Sequence, residues 1–141
     1  MHVTRRDTLA LGLGAAALAA LPLRAQTADA NIEAAILDFT GDAELADGGV
    51  TLTAPEIAEN GNTVPIKVEA PGASEILVLA AGNPNPQVGR FAFGPLAASQ
   101  YASTRIRLAQ TQDVIAIAKL EDGSFARTSQ EVKVTIGGCG G

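Results

Sequence analysis

Apolar and polar residues alternate in three stretches of the chain. Val64, Ile66, Val68 and Ala70 are separated by Pro65, Lys67 and Glu69. Thr104, Ile106 and Leu108 are separated by Arg105 and Arg107, and Val132, Val134 and Ile136 by Lys133 and Thr135. A period of two puts one side of a strand in a dry core and the other in water. Glu75 to Ala81 and Val114 to Ala118 are near-continuous apolar runs. Such runs predict strands covered on both faces. Between these stretches lie Asn60-Gly61-Asn62, Pro71-Gly72, Asn83-Pro84-Asn85-Pro86 and Asp122-Gly123, all turn-forming chemistry. Pro65 has no N–H to give a ladder, so its strand lies at an edge or starts there. One helical signal precedes the strands. Asn31 can cap a helix, Ile32, Ile36 and Phe39 follow at helical spacing, and Gly41 can stop it. The pattern predicts an all-β protein, an antiparallel sandwich of about seven strands with a short N-terminal helix.

The first thirty residues carry a different pattern. Thr4-Arg5-Arg6-Asp7-Thr8-Leu9 opens a basic region, and Leu9 to Leu23 is apolar and rich in Ala. A charged start, a moderate apolar run and a small-residue exit make a signal peptide. The run is shorter than the roughly 20 residues a spanning helix needs. Thr4, Arg5, Arg6 and Leu9 resemble a twin-arginine signal, which Thr8 and Ala10 depart from. Cleavage is expected after Ala30, at the end of Ala28-Asp29-Ala30, or after Ala25. The expected organisation is a removed leader over 1–30, a β-sandwich over 31–136, and a glycine arm over 137–141.

Composition then narrows the chemistry. The chain has 141 residues and a net charge of -5. The leader holds Arg5, Arg6 and Arg24 against Asp7 and Asp29, so its removal takes the charge to -6. An acidic chain without a basic stripe is a poor nucleic-acid binder. His2, the only histidine, leaves with the leader. Without histidine there is no Cys-His nucleophile and no zinc site built from Cys and His. The chain contains neither a haem attachment motif nor a G-x-x-x-x-G-K-[ST] phosphate loop. No catalytic residue, metal ligand or cofactor is therefore assigned. Asp42, Glu44 and Asp47 read as a solvated run. Arg105 and Arg107 share one strand face and could meet an anion or a partner, though an ordinary wet strand face is the favoured reading.

Cys139 is the only cysteine, and it sits within Gly137-Gly138-Cys139-Gly140-Gly141. Glycines offer no side-chain packing and leave the backbone free. An extended residue spans at most about 3.6 Å, so Gly137 to Cys139 could carry the sulfur roughly 10 Å beyond the last strand. The nearest fixed cation in sequence is Lys133. The thiol is thus reachable but not self-activated, which suits a carried group better than a catalytic nucleophile. An incidental tail, an intermolecular disulfide and an appended labelling handle remain alternatives on these grounds.

The tail resembles that of the SoxY-type sulfur-carrier subunit of the Sox thiosulfate-oxidation system. Phe39-Thr40-Gly41, Pro55 to Pro65, Asn83-Pro84-Asn85-Pro86, Ser103 to Gln112 and Val132 to Ile136 are also similar to that family. The resemblance implies an immunoglobulin-like sandwich in the periplasm, paired with a SoxZ-type subunit. It implies Cys139 as the covalent attachment point, with Gly137, Gly138, Gly140 and Gly141 as a flexible carrier arm. It further implies a haem-containing conjugating enzyme and a sulfate-releasing hydrolase as partners, with a sulfane dehydrogenase as a third in those systems that have one. The carrier itself would catalyse nothing. The runner-up is a structural or binding sandwich cross-linked through a disulfide at Cys139.

Overall fold

The computed structural model describes residues 23–138. The expected leader up to residue 22, and Cys139, Gly140 and Gly141, lie outside the described residues. Helix α1 spans Leu23–Thr40. Nine strands follow: β1 Leu45–Asp47, β2 Thr51–Thr53, β3 Ile57–Ala58, β4 Val64–Glu69, β5 Ala73–Ala80, β6 Gln87–Ala92, β7 Tyr101–Ile106, β8 Gln112–Leu120 and β9 Phe125–Val134. They form two sheets. The larger has the order β1-β9-β8-β5-β6 with β3 also on β9, and the smaller has the order β2-β4-β7.

The two apolar runs become β5 and β8, and the structure shows why they do not alternate. One face of each meets the small sheet. There Ile76, Val78, Ala80, Val114, Ala116 and Ala118 join Val64, Ile66, Val68, Ile106 and Leu108 in one core. The other face meets the helix. There Leu77, Leu79, Ile115, Ile117 and Phe125 pack with Phe39. A strand wet on neither side needs no polar residue. The fold is therefore a β-sandwich with a helix as a third layer.

Helix α1 contributes Ile32, Ala35, Ile36 and Phe39, an apolar stripe at helical spacing. Phe39 meets Phe125 edge-on, with ring centroids 5.7 Å apart at 74°. Arg90, on β6, lies over the Phe39 ring with its guanidinium carbon 5.3 Å from the centroid. The same guanidinium donates to Glu75 on the neighbouring strand. The helix is already formed at Leu23, the first described residue, so Asn31 is an interior helical residue and not a cap. It does stop where expected. Gly41 adopts a φ of 62° and donates its N–H to the Leu37 carbonyl at 2.8 Å. That is the usual glycine terminus of a helix.

The count of strands exceeds the expected seven because β1, β2 and β3 are only two or three residues long. β1 and β3 also run parallel to β9, whereas a wholly antiparallel sandwich was expected. Pro65 lies on β4, the middle strand of its sheet, yet no rule is broken. β2 pairs only with Lys67, Val68 and Glu69, so β4 has no second neighbour where Pro65 sits.

Candidate functional site

The place of interest is where β9 runs out towards Cys139. The strand ends at Val134, two residues short of the expected Ile136. Ile136 is 66% exposed, although the alternation had placed it on the dry face. The chain is nevertheless not released there. The Val134 N–H donates to the Thr111 hydroxyl at 2.9 Å. The Thr135 N–H donates to the Ala58 carbonyl at 3.1 Å, and its hydroxyl to the Glu59 carbonyl at 2.9 Å. The Gly61 N–H donates to the Ile136 carbonyl at 2.8 Å. The Gly138 N–H donates to the Leu108 carbonyl at 2.9 Å, and Gly138 is buried.

Three backbone segments meet at this point. Gly61 belongs to the turn after β3, Leu108 and Ala109 follow β7, and Gly137 and Gly138 follow β9. Leu108 donates its N–H to the Gly61 carbonyl at 2.8 Å, which closes the group. The approach is too close for side chains. A Cβ on Gly61 would overlap the Leu108 carbonyl oxygen and lie 2.8 Å from the Gly138 nitrogen. A Cβ on Gly137 would overlap the Ala109 carbonyl oxygen. A Cβ on Gly138 would lie 2.9 Å from the Gly61 carbonyl oxygen. Real Cβ atoms do not pack at these separations, so each of these sites requires glycine on grounds of space.

This revises the reading of the arm at its root. Gly137 and Gly138 were assigned to it for their freedom, but both lie against the body. Of the three residues counted towards a 10 Å reach, Gly138 is buried and hydrogen-bonded, and Gly137, though exposed, is held between the bonded Ile136 and Gly138. The described chain ends at Gly138, one peptide step of about 3.8 Å before the Cα of Cys139.

A pair of buried amides supports the Leu108 segment. Asn83 is 3% exposed and Gln112 is 7% exposed. The Asn83 amide donates to the Arg107 carbonyl at 2.7 Å. Its Oδ1 accepts from the Ala109 N–H at 2.9 Å and from Gln112 Nε2 at 3.0 Å. Gln112 also donates to the Gln110 carbonyl at 2.9 Å and accepts from the Gly82 N–H at 2.7 Å. Residues 107–110 have no strand partner here, and the two side chains stand in for a ladder. A buried backbone amide without such a partner would cost about 1–3 kcal/mol. Sequence reading took Asn83 as turn chemistry and placed both it and Gln112 in segments similar to the family, but gave neither a structural role. A glutamine two residues before the apolar run of β8 was the available signal.

The other candidates stay apart from this place. Asp42, Glu44 and Asp47 are exposed around β1. Arg105 and Arg107 are exposed on and just after β7, and Arg107 precedes the Leu108 that holds Gly138. Two groups have shifted proton affinities, and both lie elsewhere. The Glu75 carboxylate, bonded to Arg90, holds that guanidinium more firmly protonated. The Ser124 hydroxyl and N–H hold Asp122 below the usual carboxylate range, at the opposite end of β9. Among the described residues, no group of three or more His, Cys, Asp or Glu side chains is placed to hold a metal. Among them too, no helix is long and apolar enough to cross a membrane.

The β-sandwich defines a broad class. A superoxide reductase (neelaredoxin) from Ignicoccus hospitalis has this fold at 22% identity and a TM-score of 0.54, over 62% of this chain and 80% of its own. A single-residue variant of that reductase aligns at 22% identity and a TM-score of 0.55, over 72% and 86%. These show the fold alone. The sulfur carrier protein SoxY from Chlorobium limicola f thiosulfatophilum is 32% identical, with a TM-score of 0.67, over 77% of this chain and 99% of its own. The family model for the sulfur oxidation protein SoxY matches residues 36–139. The chain belongs to the SoxY family. Among curated proteins no relative matches. Of the segments that carried the resemblance in sequence, those holding Gly61, Asn83, Leu108 to Gln112 and Val132 to Ile136 converge on the arm root.

Proposed function

We propose that this protein is the sulfur carrier of a thiosulfate-oxidising system and holds its cargo covalently on the Cys139 thiol. The observation that carries the reading is the SoxY family match, which extends through residue 139. The likeness to a solved sulfur carrier protein over nearly all of that chain supports it. Loading would join the Cys139 sulfur to the outer sulfur of thiosulfate in a new S–S bond, a two-electron oxidation. The electrons go to a haem-containing conjugating partner, and the thiol proton goes to water. The product is a cysteine S-thiosulfonate. Hydrolysis by a second partner breaks the bond to the sulfonate sulfur. It releases sulfate and two protons and leaves a persulfide anion on Cys139, which a sulfane dehydrogenase would oxidise further.

In this reading the chain supplies no acid, base or metal. It supplies one nucleophilic sulfur at a defined exit from a rigid body. A SoxZ-type subunit is the proposed partner in a heterodimer. The proposed location is the periplasm, reached by the twin-arginine route. The helical residues that touch the core, Ile32, Ala35, Ile36 and Phe39, all follow both candidate cleavage points. Loss of the leader would therefore spare that packing.

The test is intact mass spectrometry of the mature protein, purified with its partner from cells fed thiosulfate. Additions of sulfur or thiosulfate mass on Cys139, removed by a reductant, are expected. A disulfide-linked dimer without any adduct, in cells that are oxidising thiosulfate, would overturn the reading in favour of a cross-linked sandwich.

A further inference from the structure

Gly61 lies in a turn, where glycine usually answers a demand for left-handed backbone. That explanation fails here. Among the described residues the glycines with positive φ are Gly41, Gly48, Gly49, Gly72 and Gly123, and Gly61 is not one of them. Its backbone would accept any residue, and what forbids a side chain is space. The space is taken by the Leu108 carbonyl, the Gly138 nitrogen and a methyl of Val134. Gly61 also makes two of the three hydrogen bonds that close the group. It donates to Ile136 and accepts from Leu108, and Leu108 in turn accepts from Gly138.

We propose that Gly61 is a positioning residue for the carrier arm. Together with the Leu108 and Ala109 carbonyls it clamps Gly137 and Gly138, so that Cys139 leaves the body from one fixed point. The inference rests on the carrier reading for its purpose, although the clamp can be measured without any sulfur chemistry. A fixed exit means that a partner docked on the sandwich finds the cargo within a small volume. It also divides the five-residue tail into an anchoring pair, Gly137 and Gly138, and the cysteine-bearing remainder.

Alanine at position 61 would push the Leu108 carbonyl away from the Gly138 N–H. One net hydrogen bond is worth about 0.5–1.5 kcal/mol, so the opened state should gain roughly two- to tenfold in population. The experiment compares Gly61→Ala and Gly137→Ala with the wild-type mature protein. Amide exchange at Gly138 is followed by NMR. Alkylation of Cys139 is followed with iodoacetamide and with a maleimide bearing a polyethylene glycol chain. Exchange at Gly138 should quicken by that factor while β5 and β8 keep their protection. The bulky reagent should gain more than the small one, because a freed root widens access to the tip without changing its thiol chemistry. Loss of stability alone would move neither the ratio of the two reagents nor Gly138 selectively.

If Gly61→Ala does not fold, Gly137→Ala decides, since its added methyl meets only the Ala109 carbonyl after the last strand. Unchanged Gly138 exchange and an unchanged reagent ratio in the folded variants would overturn the inference. Loading of sulfur on wild-type Cys139 is scored separately. Its absence would sink the carrier reading and leave the clamp standing.

Discussion

Replacing Asn83 with Ala should cost more than its place in a turn suggests. Its side chain makes three hydrogen bonds, one each with the Arg107 carbonyl, the Ala109 N–H and Gln112 Nε2. Gln112 keeps a second acceptor in the Gln110 carbonyl, so it is not stranded. Two backbone groups are, the Arg107 C=O and the Ala109 N–H. Both bonds are part-buried, so each group lies in the lower half of the about 1–3 kcal/mol that a fully buried unpaired group costs, and the loss is roughly 2–4 kcal/mol, with about 3 kcal/mol as the central value. That is a large share of the 5–15 kcal/mol typical of a domain. For a domain of this size it should lower Tm by roughly 10–15 °C. The chain has no Trp and one Tyr, so unfolding in urea is best followed by far-UV circular dichroism. The slope m should not change, because the folded state stays as compact. A loss below about 1 kcal/mol would refute the reasoning. It would mean that water or a shifted chain satisfies both backbone groups, and that Asn83 does not hold the Leu108 segment.

Two other outcomes are expected. Phe39→Ala removes the aromatic contact with Phe125 and the surface under Arg90, and should destabilise by about 3–5 kcal/mol with loss of helical signal, measured by thermal unfolding. Asp122 has a folded pKa held below its unfolded value by Ser124. Its contribution is therefore present at neutral pH and fades as pH falls through that lowered folded value, below about pH 4. The Tm gap between wild type and D122N should be widest at neutral pH and close in acid. A gap that does not depend on pH would contradict the assignment.

Legibility in the sequence followed length and exposure. β4, β7 and the end of β9 were visible because each has one wet face and so repeats every second residue. β5 and β8 were visible as apolar runs, but the cover on their second face was not, since nothing local says that Phe39 and Ile36 lie there. β1, β2 and β3 are only two or three residues long, too short to show a repeat; only pairing with β9 and β4 defines them. β6 has no buried residue along its length, so it left no apolar signature. The start of α1 was misplaced because Asn31 is chemically a good cap, while the helix runs through it from Leu23. At the arm root the glycines were noticed, but their reason was not. Flexibility and close approach select the same residue, and only the positions of Leu108 and Ala109 separate the two.

β9 has a mechanical consequence. Its neighbour β8 pairs with it from Phe125 to Val132, β1 from Phe125 to Arg127, and β3 at Lys133 and Val134. Ladder bonds lie across a strand. A pull on the tail along the axis of β9 would therefore load these rungs together, in shear, instead of opening them one by one as in unzipping. The single bonds at Gly138 and Ile136 stand first in line and would yield as a fuse. A partner that tugs the tip into a narrow cleft would extend the tether by those two residues before it could strain the sandwich.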